Sequence, residues 1–325
     1  MTSFEQYART FDRYVAQIEY PAAPRALYDP IRYTMAYGGK RLRPLFVLGA
    51  CGLWRDEVSR ALPAAAAVEM FHNFTLIHDD IMDNAPTRRG RESVFRRWGV
   101  NAATLSGDSL MIHSWRELAR TSPELLPAVV DYFNEAAVKV CEGQQLDMDF
   151  ESRDRLTVAE HTAMIELKTA SLFVGAVSMG AMAGGASDDD LRHLREFALP
   201  FGVAFQMQDD LLDSYGDERL GKTVGGDILE GKKTFLKMKA LAVASPADRA
   251  ELSLIHKDLR HTPGKMIARV LNIYDRYGVR AAVEEEIGRR FAAAAAALDA
   301  LTGSVSSDRI EEFKTFALGQ LGRAK

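Results

Sequence analysis

Cysteine is scarce in this chain: Cys51 and Cys141 are the two among 325 residues. Two isolated thiols in apolar surroundings exclude a disulfide framework and a thiolate metal centre, and they read as small buried hydrophobes. Net charge is small too, −4 from 41 basic and 45 acidic residues, so the chain as a whole has no general pull on nucleic acid or on an anionic membrane. Its arginines are scattered and make a weak case for nucleic-acid binding. No stretch reaches roughly 18 uninterrupted apolar residues, and the opening Met-Thr-Ser-Phe-Glu-Gln-Tyr lacks a basic region followed by an apolar one. The expectation is an intracellular, cytoplasmic protein with no membrane span. Apolar residues are plentiful, at 47% against 26% charged, enough for a large core.

Strict alternation of apolar and polar residues is nearly absent, which argues against sheet. From Phe4 to about Leu321 apolar residues recur at three- and four-residue spacing among Ala, Leu, Glu, Arg and Met, so the fold is expected to be all-α. The periodicity predicts helices over 4–19, 23–37, 42–54, 59–83, 101–119, 123–150, 157–184, 188–213, 232–244, 247–257, 263–299 and 306–321. The breaks between them, such as Gly38-Gly39 and Gly184-Gly185, are too short for an interdomain linker, so one domain over 1–325 is expected. The stretch from Ser214 to Gly231 differs: five glycines are interspersed with Asp217, Lys222 and Asp227 without helical periodicity, as in a functional loop.

Two acidic clusters carry the chemistry. The first is Asp79-Asp80-Ile81-Met82-Asp83, at the end of an apolar helix that also bears His72, Phe71 and Phe74. Asp79 and Asp83 are four residues apart, which puts their Cβ atoms about 5–6 Å from each other on one face. Two carboxylates at the negative end of a helix dipole call for a cation, and a hard divalent ion shared with phosphate oxygens satisfies them. The second cluster, Asp209-Asp210-Leu211-Leu212-Asp213, repeats the pattern just before the Gly-rich loop. Either cluster alone could be a solvated acidic face. Two of them, facing each other across a cavity, could hold several Mg²⁺ ions around one diphosphate and stabilise its departure. Asp188-Asp189-Asp190, by contrast, opens a helix, where acidic residues cap and complement the dipole.

Basic groups surround these clusters in the sequence. Gly38-Gly39-Lys40-Arg41-Leu42-Arg43 joins a glycine turn to a helix start, offering backbone N–H groups and three cations to an anion. Arg88-Arg89 follows the first cluster, Lys168-Thr169 and Gln206 sit in apolar helices, and Lys222, Lys232 and Lys233 flank the loop after the second cluster. His72, seven residues before Asp79, returns to nearly the same helix face and could donate to a diphosphate. The plainer reading of His72 is a satisfied core histidine.

In order, the segments Gly38 to Pro44, His72 to Gly90, Ser106-Gly107-Asp108, Glu142-Gly143-Gln144, Lys168-Thr169, Phe205 to Asp213 and Gly221 to Lys232 resemble the trans-polyprenyl diphosphate synthase family, which includes farnesyl, geranylgeranyl and longer-chain enzymes. The resemblance implies an all-α barrel of long antiparallel helices around a deep apolar cavity, usually a homodimer, with about three Mg²⁺ per active site. It implies that Gly39, Lys40, Arg43, His72 and Arg89 bind isopentenyl diphosphate, and that Arg88, Lys168, Lys222 and Lys232 hold the allylic diphosphate. Asp79, Asp83 and Asp209 become the principal metal ligands, with Asp80, Asp210 and Asp213 in support. Thr169 and Gln206 become stabilisers of an allylic cation. Asn84-Ala85-Pro86-Thr87 is less acidic than in many relatives.

The family also relates product length to the side chains below the first cluster. Phe74 lies five residues before Asp79, about 7–8 Å down the helix axis, with Phe71 a further turn below. An aromatic residue at the position of Phe74 resembles short-chain synthases, and the absence of a two-residue insertion between Asp80 and Asp83 resembles the geranylgeranyl class. A C20 product is therefore expected, with C15 next and longer chains as the alternative. A class I terpene cyclase would lack Asp209 to Asp213 and the Gly38 to Arg43 segment. A non-catalytic subunit would have lost acidic residues that this chain keeps.

Overall fold

The computed structural model describes residues 2–153, 155–216, 225–259, 262–301 and 303–320. Among them sixteen α-helices form: α1 (Ser3–Ala16), α2 (Arg25–Met35), α3 (Leu42–Gly52), α4 (Leu62–Met82), α5 (Val94–Trp98), α6 (Val100–Leu118), α7 (Leu126–Ser152) and α8 (Val158–Ile165) come first. They are followed by α9 (Ser171–Gly184), α10 (Asp188–Tyr215), α11 (Gly226–Glu230), α12 (Phe235–Val243), α13 (Pro246–Leu259), α14 (Pro263–Arg276), α15 (Val279–Asp299) and α16 (Ser307–Gly319). The all-α expectation holds. The sole sheet among the described residues is a hairpin of β1 (Thr87–Arg88) and β2 (Arg91–Glu92), which the sequence reading had not foreseen. Its two-residue turn is Arg89-Gly90 with φ of 52° and 75°, the positive values that short hairpins require.

The chain divides into two compact units, each discontinuous in sequence. The first lies within Met1–Ala137, Leu172–Arg195 and Leu301–Phe313. Its centre is α4, apolar on nearly all sides and buried from Leu62 to Ile77 except at a few positions. Helices α3 and α6 pack on α4. A Cβ placed on Gly180 of α9 would come within 2.0 Å of the Val47 carbonyl oxygen of α3, so these two backbones touch and only glycine permits it. Phe46 and Phe173 meet edge to face at 5.4 Å beside that contact.

The second unit lies within Val138–Ser171, Glu196–Ala300 and Lys314–Lys325, where α12 packs on α8, α14 and α15. The segment expected as one helix over 157–184 is continuous but contains a π-helical turn at Glu166–Ala170. The segment expected as one helix over 263–299 is two. Gly278 takes φ +62° between α14 and α15, and the Tyr277 hydroxyl is drawn aside by Asp248 Oδ2 at 2.6 Å. Asp190 caps the start of α10 as expected: its Oδ2 accepts from the Ser187 N–H and hydroxyl while its own N–H donates to Ser187 Oγ. Cys51 is buried, but Cys141 is exposed, contrary to the expectation for both thiols, because it falls on an outward position of α7. Val158–Gly184 is long and apolar enough in composition to cross a bilayer, yet 72% of its most apolar window is buried inside the protein.

Candidate active site

In the first unit, Asp79 and Asp80 sit in the last turn of α4 and Asp83 caps it, its N–H donating to the Asp79 carbonyl at 2.8 Å. Asp80 is 3% exposed. Burial pushes its carboxyl up from the ordinary value, and Arg88 opposes that shift: Nε and Nη2 donate to Oδ1 at 2.8 and 2.5 Å. The same Nη2 reaches Asp79 Oδ2 at 3.5 Å. Arg88 can do this because the hairpin returns the chain beside the helix end. The hairpin is itself held to α2 by the Tyr33 hydroxyl and to the turn that follows α2 by the Tyr37 hydroxyl, both of which donate to the Glu92 carbonyl, at 3.0 and 2.8 Å.

The glycine turn lies on the other side of the hairpin. Arg89 Nη1 donates to the Gly38 carbonyl at 2.5 Å, and a Cβ on Gly39, at φ +123°, would stand 2.9 Å from that nitrogen. Lys40 is exposed. Arg43 Nη1 donates to His72 Nε2 at 3.1 Å, with its Cζ 4.8 Å over the Phe173 ring. His72 is kept neutral, its pKa lowered well below 6.5 by burial and then by Arg43, Arg89, Arg88 and Arg41. In this geometry His72 Nε2 accepts from Arg43 and orients it, which leaves the imidazole proton on Nδ1. Arg41, counted there among three cations offered to an anion, turns inward to Glu69.

Phe74 and Phe71 lie one turn apart with ring centroids at 5.4 Å. Phe74 packs on the His78 ring at 4.8 Å, and Phe71, 2% exposed, packs on Phe133 at 5.5 Å. His78 Nε2 donates to the Thr104 carbonyl, and a Cβ on Gly107 would come within 2.3 Å of that nitrogen.

In the second unit the late turns of α10 carry Gln206, Asp209, Asp210 and Asp213. Asp210 is buried: Gln206 Nε2 donates to its Oδ1 at 2.9 Å and the Phe235 N–H to its Oδ2 at 3.0 Å. Burial, followed by the charge of Asp227, pushes this carboxyl up to about 7 against those two donors. Thr169 Oγ1 donates to Gln206 Oε1 at 3.0 Å, so hydroxyl, amide and carboxyl form one chain. Asp213 Oδ2 accepts the Asp227 N–H at 2.9 Å and its carbonyl accepts the Gly225 N–H, which ties the start of α11 to α10. Lys168 Nζ lies 2.7 Å from Asp147 Oδ2, and Lys232 Nζ 3.1 Å from Glu230 Oε2. Lys233 caps the end of α7 through the Phe150 and Arg153 carbonyls. Lys222 lies outside the described residues.

The donor set suits Mg²⁺. It consists of hard carboxylate oxygens with no thiolate, and among the described residues no group of three or more His, Cys, Asp and Glu side chains encloses a metal by itself. Magnesium takes one or two carboxylates and completes its shell with water and phosphate. The sequence reading missed Glu69, Tyr33, Tyr37 and Asp147. Of these, Glu69 left a readable sign, an acid within the apolar run of α4 three residues before His72.

A sequence profile of the family described as polyprenyl synthetase matches residues 24–274. A geranylgeranyl diphosphate synthase of Methanosarcina mazei is 42% identical over 220 residues, covering 67% of this chain and 68% of that protein. A crystal structure of a geranylgeranyl pyrophosphate synthase superposes with a TM-score of 0.93 at 34% identity over 100% of both chains. The geranylgeranyl pyrophosphate synthase of Corynebacterium glutamicum, complexed with isoprenyl diphosphate and magnesium, gives 0.81 at 26% identity over 99% of this chain and 96% of that one.

Proposed function

Because the chain belongs to the polyprenyl synthetase family, we propose that it is a Mg²⁺-dependent trans-prenyltransferase joining isopentenyl diphosphate to an allylic diphosphate, with a C20 main product. The observation that carries the reading is the pairing of Arg88 with Asp79 and Asp80 at the end of α4, with Arg89 on the Gly38 carbonyl and Arg43 on His72. Asp79, Asp83 and Asp209 are the metal ligands in this proposal. Bound Mg²⁺ would neutralise the diphosphate as it leaves.

The chain's own residues supply the rest. Arg88, held by Asp80, faces the allylic diphosphate together with Lys168, Lys222 and Lys232, while Lys40, Arg43, His72 and Arg89 hold the isopentenyl diphosphate. The Thr169 hydroxyl spends its proton on Gln206, leaving oxygen lone pairs for the allylic cation. Asp80, Asp210 and Asp213 act one layer out: Asp80 holds Arg88, Asp210 fixes Gln206, and Asp213 anchors Asp227. No side chain stands out as a dedicated base, and the released diphosphate takes the final proton. Phe74, backed by Phe71, closes the hydrocarbon tunnel at C20.

The enzyme works as a single polyprenyl synthase domain in a cytoplasmic homodimer. Leu105 and Ile112, 60% and 58% exposed at seven-residue spacing on α6, support a partner surface. Unpaired Cys51 and Cys141 agree with a reducing compartment. Incubating the purified protein with Mg²⁺, isopentenyl diphosphate and dimethylallyl, geranyl or farnesyl diphosphate in turn, then sizing the products, tests this. C20 from every primer supports the reading; no elongation, or chains of C30 and longer, overturns it.

A further inference from the structure

Glu69 is a carboxylate in an apolar helix, 2% exposed, flanked by Val68 and Met70 that are fully buried. Burying such a group is unfavourable unless it is paired and hydrogen-bonded. Both conditions are met. Arg41 Nη1 lies 2.7 Å from Oε1, and Asn73 Nδ2 donates to the same oxygen at 3.1 Å and to the Glu69 carbonyl at 2.8 Å.

Arg41 reaches Glu69 from an unusual backbone. At φ 47° and ψ 38° it is left-handed, a conformation unfavourable for a residue with a side chain. Its second nitrogen, Nη2, donates to the Met35 carbonyl at 2.8 Å, at the end of α2. The guanidinium therefore clasps the two ends of the Ala36 to Lys40 turn together and fastens both to α4. Lys40 immediately precedes the clasp and Arg43 follows it by two residues. The Gly38 carbonyl inside the turn receives Arg89. An arginine whose fork is consumed in this way has little left for a substrate anion, and a buried acid that touches no substrate group has no chemical step to perform.

We propose that Glu69 is a positioning residue for the isopentenyl diphosphate site: acting through Arg41, it sets the turn that presents Lys40 and Arg43. The inference rests on the prenyltransferase reading above. It separates two groups that the sequence presents as equivalent, since Lys40 and Arg43 meet the diphosphate while Arg41 holds the frame. Displacing such a frame by about 1 Å can cost 10²-fold where alignment matters. The effect falls on one substrate, because the allylic side of the proposal draws on other residues.

The test compares wild type with Glu69→Ala and Glu69→Gln. Binding of isopentenyl diphosphate alone is measured by calorimetry, and KM for each substrate and kcat are measured with the other substrate saturating. Glu69→Ala is expected to raise the Kd and KM for isopentenyl diphosphate by about tenfold or more, roughly one hydrogen-bonded contact's worth of affinity. The allylic KM and kcat should change by less than about threefold. Glu69→Gln, whose amide oxygen can still accept from Arg41, should recover part of the loss. If Glu69→Ala fails to fold, Glu69→Gln decides, with an expected rise of about threefold. Unchanged isopentenyl affinity, or an equal loss for both substrates, overturns the proposal. A wild-type protein that binds no isopentenyl diphosphate and makes no product defeats the prenyltransferase reading instead.

Discussion

Gly143 of α7 offers a sharp perturbation because its replacement meets backbone on every near side. A Cβ at this position would lie 2.2 Å from the Lys168 nitrogen, 2.6 Å from the Lys168 Cα and 2.8 Å from the Leu167 carbonyl carbon. Ordinary contact begins near 3.4 Å, so Gly143→Ala forces α7 and the π turn apart by more than 1 Å. No side-chain rotation relieves this, since the atoms met belong to the main chain. The 3.0 Å bond from Thr169 to Gln206 and the 2.7 Å pair of Lys168 with Asp147 both depend on that turn. Overpacking of this kind costs about 1–3 kcal/mol, which for a chain of this length lowers Tm by roughly 1.5–4.5 °C. Misplacing Lys168 and Thr169 by that distance should lower kcat/KM for the allylic substrate by about 10²-fold. Differential scanning calorimetry and initial-rate kinetics read the two effects, with Gly288→Ala on α15, whose Cβ meets nothing within 4 Å, as the control. If Gly143→Ala matches the control in both, the close approach of α7 to the π turn is refuted.

Further outcomes follow from the same geometry. Asp79→Ala or Asp209→Ala should lower turnover at least about 10³-fold, roughly 4 kcal/mol of barrier, with helical circular dichroism unchanged; near-wild-type rates would defeat the metal assignment. Lys40→Ala or Arg43→Ala should raise the KM for isopentenyl diphosphate far more than that for the allylic primer, and an equal loss for both would mean that the two sites are wrongly assigned. Phe74→Ala should deepen the tunnel and lengthen products by one or more five-carbon units, so an unchanged product distribution places the floor elsewhere. His72, His113 and His161 are all held below their ordinary 6.5, each chiefly by burial. The unfolded chain therefore binds protons that the folded chain refuses: stability is full above pH 6.5 and is lost as the pH falls below it. Asp210, pushed up to about 7, takes up a proton over the same window and offsets one of the three histidines, so Tm should still drop between about pH 7 and pH 5, and a flat profile contradicts the neutral histidines.

Much of this was legible in the sequence where local pattern decides. The apolar periodicity of α4 and α10 ends in Asp-Asp-x-x-Asp both times, and Ser187 with Asp190 reads as a helix start without any tertiary information. What stayed hidden depends on partners distant in sequence. Arg41 looks identical to Lys40 and Arg43 until Glu69, twenty-eight residues on, turns it inward. The π turn at Glu166–Ala170 has no local signature and shows itself through Gly143. The hairpin has strands of two residues, too short for alternation to register, and its hold on α2 and the turn after it rests on Tyr33 and Tyr37 more than fifty residues earlier. Tyr277-Gly278 was a readable stop, masked by helix formers on both sides.

The central claim is carbon–carbon bond formation between two diphosphates. Mixing the protein with farnesyl diphosphate and labelled isopentenyl diphosphate tests it directly. The account predicts a C20 diphosphate carrying one label per chain, abolished by a chelator and restored by Mg²⁺. Unlabelled cyclic hydrocarbon formed from farnesyl diphosphate alone, or no transfer of label at all, would contradict it.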